Sequence, residues 1–487
     1  MVRITFFIFA FIFSYSVHSQ TIGDAVRYSL YDVGGTARTV GVGGALGALG
    51  ADFSVLSTNP AGLATYRKSE FMFTPTINLS NVKAELAGSQ NDPVELNKTK
   101  FNLNNLGLVI AKRPYDSKWT TSNFGVGLNR VANFHQEIRF EGTSPGSITD
   151  RFLELADGKN INELGGFEEG LAYDAFAIYD DASGNYFSDF FPEEEVEKEQ
   201  FIRRTGSINE LVFSFAGNYN EKLMLGATVG IPIVNFEETK TYREIDFDDS
   251  NPVFDELAYI ESLTTTGAGI NLKLGAIYRI NQMFRVGAAI HTPTSFAFED
   301  SWNARMLYEF TDPDFSSPGE QQSPDGFFEY KFKTPWRYIG SLGVIIKKYG
   351  FLSADIEYVN YGGSEFKFNN TENAEDLDFV RGLNNQLSDE LKGGVNLRLG
   401  GEFAYEILRF RAGFSITDNP YDNVSEKNNA LSLGIGVRGK TVFADFAFKR
   451  IMNESEYTPY VTNSAPQSIV NIDDQRNKLM LTVGFKF

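Results

Sequence analysis

Residues 34–66 read GGTARTVGVGGALGALGADFSVLSTNPAGLATY, a run too rich in glycine and alanine to form a strand and too poor in apolar bulk to build a core of its own. Such a segment has to be enclosed by something else. From Ser69 onward the chain supplies a wall, because strand after strand alternates apolar with polar residues. The economical reading is an all-β protein: a transmembrane antiparallel barrel of about fourteen strands, closed around a compact N-terminal plug in its lumen.

The alternation is plainest between Phe328 and Ile346. Even positions there carry Phe328, Tyr330, Phe332, Trp336, Tyr338 and Leu342, whereas odd positions carry Glu329, Lys331, Lys333, Arg337 and Ser341. A period of two sends one set to each face, so the pattern predicts one side in oil and the other in water. Similar runs place strands near 69–82, 121–140, 204–219, 264–281 and 477–487, among others, and an even total suits a single-chain bacterial barrel. Connections after even-numbered strands are short and those after odd-numbered ones long and polar. That asymmetry predicts short periplasmic turns, long outer loops and both termini in the periplasm. The largest loop is expected over about 141–203, and its apolar spacing at Ile148, Phe152 and Leu155 predicts local helices.

Upstream, Arg3 precedes an apolar run from Ile4 to Tyr15, and small residues lead up to Gln20. This predicts a signal peptide over 1–19, a plug over 20–68 and a barrel over 69–487. Beyond Tyr15 no apolar run is long enough for a membrane-spanning helix. The net charge of -19 argues against a nucleic-acid partner. Acidic runs such as Glu193-Glu194-Glu195 read as solvated loops, with calcium binding left open. No cysteine is present, so no disulfide staples the fold.

Catalysis finds little support. After the expected signal only His135 and His291 remain, with no HExxH, no GxSxG and no clustered metal ligands. The expectation is no enzyme, no cofactor and no metal. Gly41-Val42-Gly43-Gly44-Ala45-Leu46-Gly47 looks superficially like a dinucleotide-binding turn, but no strand precedes it, and small-residue packing of a plug is the better account.

Asn59-Pro60-Ala61-Gly62-Leu63 reads as a capped turn, with Asn59 or Thr58 as N-cap and Pro60 in the first turn. Here the chain resembles the FadL/TodX family of outer-membrane transporters for hydrophobic compounds, particularly its members in Bacteroidetes-type bacteria. The resemblance rests on Gly41 to Gly50, Asp52-Phe53-Ser54 and Ser57 to Gly62, and on scattered strand matches such as Thr334-Pro335-Trp336 and Arg411-Ala412-Gly413. It implies a passive outer-membrane porin-like transporter for long-chain fatty acids or hydrocarbons. Loops capture the ligand, a lumenal pocket holds it, and a gap beside a kinked third strand releases it sideways. Gly43, Gly44, Gly47, Asn59, Pro60, Ala61 and Gly62 are then the hatch. The kink falls near Asn129 and Asn133.

A carboxylate head group in the lumen needs cations beside it. Lys331, Lys333, Arg337, Arg398 and Arg411 face inward by parity; the alternative is that they pair with Asp355, Glu357 and Glu402. The expected partners are a hydrophobic small molecule, outer-membrane lipid and lipopolysaccharide, with the protein a monomer. A reading from a different class is a structural barrel subunit of a protein-secretion or surface-attachment complex, docking through the large loop.

Overall fold

A computed structural model describes residues 20–88, 91–181, 183–191, 194–246, 251–369 and 374–487. The expected signal peptide at 1–19 lies outside these residues. Fourteen strands run up and down in chain order: β1 (Glu70–Leu86), β2 (Val94–Lys112), β3 (Trp119–Asn133 and Gln136–Pro145), β4 (Glu195–Tyr219), β5 (Leu223–Ile245), β6 (Phe254–Arg279), β7 (Phe284–His291 and Ser295–Phe310), β8 (Gly326–Lys333 and Arg337–Ile346), β9 (Gly350–Asn360 and Glu365–Phe368), β10 (Gly393–Tyr405), β11 (Leu408–Thr417), β12 (Asn428–Arg438), β13 (Val442–Tyr457) and β14 (Val470–Lys486). Neighbours pair antiparallel, and β14 returns to β1 from Glu70↔Lys486 to Leu86↔Val470, which closes the sheet. Closure removes both edges, the requirement for a sheet that lies in lipid. The outer face carries the matching apolar surface: Phe213, Leu225, Leu352, Phe410 and Phe446 are all exposed. A continuous apolar band of that kind marks contact with a membrane, not water.

The connections at one rim are tight, at 220–222, 347–349, 406–407 and 439–441. At the other rim the chain between β3 and β4, 146–194, folds into a cap that contains α3 (Ile148–Ala156) and α4 (Glu169–Asp174). Ile148, Phe152 and Leu171 turn down onto Phe140, Tyr242, Phe254 and Met306 from the strand ends. This connection is shorter than the 141–203 span expected from sequence, because β3 runs to Pro145 and β4 starts at Glu195. In β4 the buried positions Val196, Lys198, Gln200 and Ile202 alternate correctly, but two of the four are polar, so the stretch reads as a charged loop.

Four strands are interrupted. β3 breaks at 134–135, β7 at 292–294, β8 at 334–336 and β9 at 361–364. Pro293 and Pro335 lack the N–H that a ladder needs. Thr294 N donates to Thr334 Oγ1 at 2.9 Å and Thr334 N to Thr294 O at 3.1 Å, which ties the β7 and β8 breaks together. The residues around Pro335 do not continue the pleat, and β8 resumes in the opposite phase. Below the break Tyr338 and Leu342 face out; above it Tyr330 and Phe332 are buried and Lys331 is exposed. The parity predicted over 328–346 therefore holds only below Pro335.

The segment before β1 is enclosed by this wall. It comprises α1 (Ile22–Ser29), α2 (Ala37–Gly41) and two 3-10 turns, Phe53–Ser57 and Pro60–Thr65. Thr21 and Asp24 form a capping box that starts α1. Around the ring, Phe53 packs over Gly107 of β2, Pro60 over Gly226 of β5 and Gly47 against Ser341 of β8, while Ala37 N donates to Thr482 Oγ1 of β14 at 2.7 Å.

Candidate functional site

The lumen is built in three tiers. In the lowest, main chain of the enclosed segment lies directly on glycines of the wall. Gly43 has φ +65° and packs on Gly413 so closely that a Cβ on either would strike backbone, and Gly400 meets Val42 O in the same way. Gly44 and Gly47 lie beside Arg398 and Ser341. Asn59 caps the second 3-10 turn: its Oδ1 accepts from Ala61 N at 3.2 Å, its Nδ2 donates to Gly47 O at 2.7 Å, and Pro60 takes the first helical position. Ala61 and Gly62 are buried behind it, so all seven sequence-selected residues sit in one packed layer.

The middle tier is ionic. Glu210 pairs with Lys273 and accepts from Ser57 Oγ at 2.8 Å. Glu357 takes Arg337 at 3.1 Å and also Arg398; nearer the tight-turn rim than the Gly43–Gly413 contact, Arg411 bonds Glu402 at 2.7 Å and Asp445 at 2.8 Å. Asp32 of the enclosed segment reaches Lys449 of β13 at 2.6 Å and Lys478 of β14. Burial opposes its ionisation, yet the two ammonium groups outweigh that and hold the carboxyl well below the usual range. His291 Nε2 donates to Thr58 O at 2.6 Å, a structural contact and not a catalytic one. Only a polar void of about 40 Å³ remains among these groups.

This tier sorts the five cations picked from sequence. Arg337, Arg398 and Arg411 do face inward, but each already meets a carboxylate. Lys331 and Lys333 do not; the phase change at Pro335 turns them outward, where Lys333 meets Glu365 at 3.5 Å.

Above lies a packed aromatic cluster, of which sequence parity assigned Tyr330 and Phe332 to the lipid side. Phe296 and Phe298 stack at 4.9 Å, Phe298 meets Tyr330 at 5.5 Å, and Phe332 meets Phe366 at 4.7 Å. All come from the upper halves of β7, β8 and β9, so the prolines at the breaks were the available signal. Tyr28 of α1 is fully buried in this cluster, 4.6 Å from the Phe298 ring, and Arg27 lies 3.9 Å over Phe236. α5 (Ala374–Glu390) packs on the cluster, with Leu383 and Leu387 buried. The side-chain amide of Asn384 pairs both main-chain groups of Phe366, at 2.8 and 3.0 Å, and so serves the edge of β9 as a missing strand would.

A cavity of about 540 Å³ lies between α1 and α5. It adjoins, at Glu390 and Tyr421, an acidic groove of about 1090 Å³ near the outer rim, whose strand residues Lys83, Glu85, Glu454, Glu456 and Asp473 lie on the outward-facing parity of β1, β13 and β14.

Among the described residues, ladder pairing of the wall stops short in two places: between the upper part of β9 and β10, where Asn384 of α5 takes over, and between β2 and β3. Pairing of β2 with β3 runs from Lys112↔Ser122 up to Asn105↔Asn129 and stops. Above it, 94–104 of β2 bonds only to β1, and the upper half of β3 only to β4. Asn129 marks the last rung; its Oδ1 accepts from Asn105 Nδ2 at 2.7 Å and its Nδ2 donates to Ser57 Oγ at 2.9 Å. Next come a register shift between Arg130 and Ala132 and the break at 134–135, where Asn133 Oδ1 accepts from His135 N at 3.3 Å.

No known protein-family pattern matches the chain, and no curated protein does. Solved structures do. A FadL homologue from Pseudomonas aeruginosa aligns over 94% of this chain and 100% of its own, with a TM-score of 0.55 and 13% identity. The toluene transporter TodX from P. putida aligns over 94% and 99%, with a TM-score of 0.52 and 11% identity. The toluene transporter TbuX from Ralstonia pickettii aligns over 93% and 99%, with a TM-score of 0.50 and 14% identity. Across more than nine-tenths of its length the chain therefore has the closed fourteen-stranded fold of these barrels.

Proposed function

We propose that the protein is a passive outer-membrane channel that takes up hydrophobic small molecules, and that it takes uncharged ones in preference to fatty acids. The proposed route runs through the cavity between α1 and α5, past the aromatic cluster, and out through the gap between β2 and β3. The enclosed N-terminal segment acts as the hatch that blocks small solutes. One observation carries the reading: a barrel with a lipid-facing apolar wall, sealed below by that segment, loses its β2–β3 pairing above Asn129. A channel of this design moves a ligand by desolvation and sideways release and never opens a water-filled pore.

The preference for uncharged ligands rests on charge. A carboxylate would reach a lumen where Arg337 and Arg398 are already paired with Glu357. An unpartnered buried charge costs several kcal/mol, whereas a neutral ring or alkyl chain meets no such barrier. Transport fits the loop between β3 and β4 better than docking does, because α3 and α4 bury their apolar residues against the barrel.

The test is uptake of radiolabelled toluene and of oleate by cells that express the chain, compared with cells that lack it. Toluene uptake should rise and oleate uptake should not. If neither rises, the transport reading fails; if only oleate rises, the charge argument fails.

A further inference from the structure

We propose that the gap between β2 and the upper half of β3 binds the phosphate of an anionic membrane lipid, whose acyl chains lie on the outer face of β2. Four cations stand around this gap. Lys98 and Lys100 belong to the part of β2 that has lost its β3 partner. Arg130 follows Phe124, Val126 and Leu128 on the lipid-facing side of β3, which puts it at the top of the apolar run. Arg203 of β4 faces Glu137 across the β3–β4 ladder.

The nearby acids do not balance these cations. Glu137 takes Lys98 and lies 3.9 Å from Arg203. Arg139, one step further out, is held by Glu141 at 2.9 Å and Glu199 at 3.1 Å. Lys100 and Arg130 have no ion pair among the described residues; Arg130 Nε only donates to Asn209 Oδ1 at 3.1 Å. His135, at the break itself, lies among the same cations. The lumen shows the opposite pattern, with each arginine of its middle tier matched to a carboxylate.

Two unmatched cations at the edge of the hydrocarbon layer are unfavourable unless an anion meets them. The membrane supplies one with the right shape. A phosphate accepts several charge-assisted hydrogen bonds at once, and the chains attached to it need apolar surface directly below. Phe101, 67% exposed and the most exposed side chain of the apolar band on β2, faces the lipid with Leu103; Lys98 and Lys100 rise from the opposite face of β2 and reach the gap from inside, as the Lys98 pair with Glu137 shows. Lipid bound there would fill the gap from outside. This inference needs only that the barrel lies in a membrane; it does not depend on what the lumen carries.

The experiment is native mass spectrometry of the full barrel in neutral detergent, with phosphatidic acid or phosphatidylcholine added at equal concentration, and with inorganic phosphate as competitor. Wild type should retain phosphatidic acid over phosphatidylcholine. Lys100→Gln with Arg130→Gln should lower that retention roughly tenfold, whereas Arg450→Gln with Lys440→Gln, which removes two cations elsewhere, should not. Heat-modified gel migration shows that each variant has folded. Equal retention by both double variants overturns the site, and so does equal retention of the two lipids. Displacement by inorganic phosphate at matched concentration assigns a free-anion site and overturns the lipid.

Discussion

Asp32 is the only anion that reaches both Lys449 and Lys478 in the described structure, and it ties the enclosed segment to the β13–β14 wall. Replacing it with alanine leaves two ammonium groups, with side chains 10% and 14% exposed, without a counter-charge. Removing one member of a buried pair costs about 3–5 kcal/mol. Asp32 keeps 29% exposure, so the low end, about 3 kcal/mol, is the appropriate figure. At about 1.4 kcal/mol per decade that raises the unseated fraction of the segment roughly a hundredfold. Single-channel recording in planar bilayers should show frequent conducting bursts for Asp32→Ala and a closed baseline for wild type. Changing Lys449 and Lys478 to methionine in the same chain removes the stranded charges and should restore most of the closure. The reasoning is refuted if Asp32→Ala stays as silent as wild type while deletion of 34–66 conducts, or if the triple variant conducts as much as the single one.

Two further substitutions probe other tiers. Gly413→Val pushes a side chain into the main chain of Gly43; overpacking of this kind costs about 1–3 kcal/mol, and faster protease cleavage within 34–66 is the expected readout, with Gly401→Ala on the outer face of the neighbouring strand as a silent control. Asn384→Ala removes both bonds to Phe366; at about 1 kcal/mol each, amide exchange at Phe366 should accelerate at least tenfold while exchange in β10 and β11 stays as in wild type.

Much of the barrel was legible because most of its lower half follows one rule, with a bulge at Thr74/Pro75 and a register shift at Trp119/Thr121 as local departures. Leu352, Ile356 and Tyr358 of β9 face lipid while Asp355 and Glu357 face in, as a period of two requires. The rule failed where the backbone left the pleat. Nothing in the composition of FEYKFK announces that Tyr330 and Phe332 point inward; only the loss of an N–H at Pro335, matched by Pro293 on the adjacent strand, marks the inversion. The inward turn of Tyr330 and Phe332 was missed for that reason, and Lys331 and Lys333 were placed on the wrong side. The outer reach of β4 was hidden differently: EVEKEQ buries Lys198 and Gln200 against the cap, so its inward face is polar. Which carboxylate each lumenal arginine takes depends on strand register. Register is a property of the pairing and not of any local run of residues.

The seam between β1 and β14 also constrains how the molecule is made. Residues 20–66 precede β1 in the chain and β14 follows β13, so the ring is an open curl until β14 pairs with β1. Tyr28, Phe53 and the capped turn at Asn59 are too bulky to thread through a finished cylinder that fits them this closely. The lumen is accordingly filled at or before the moment of zippering, and the contents act as a mandrel around which the sheet is wound.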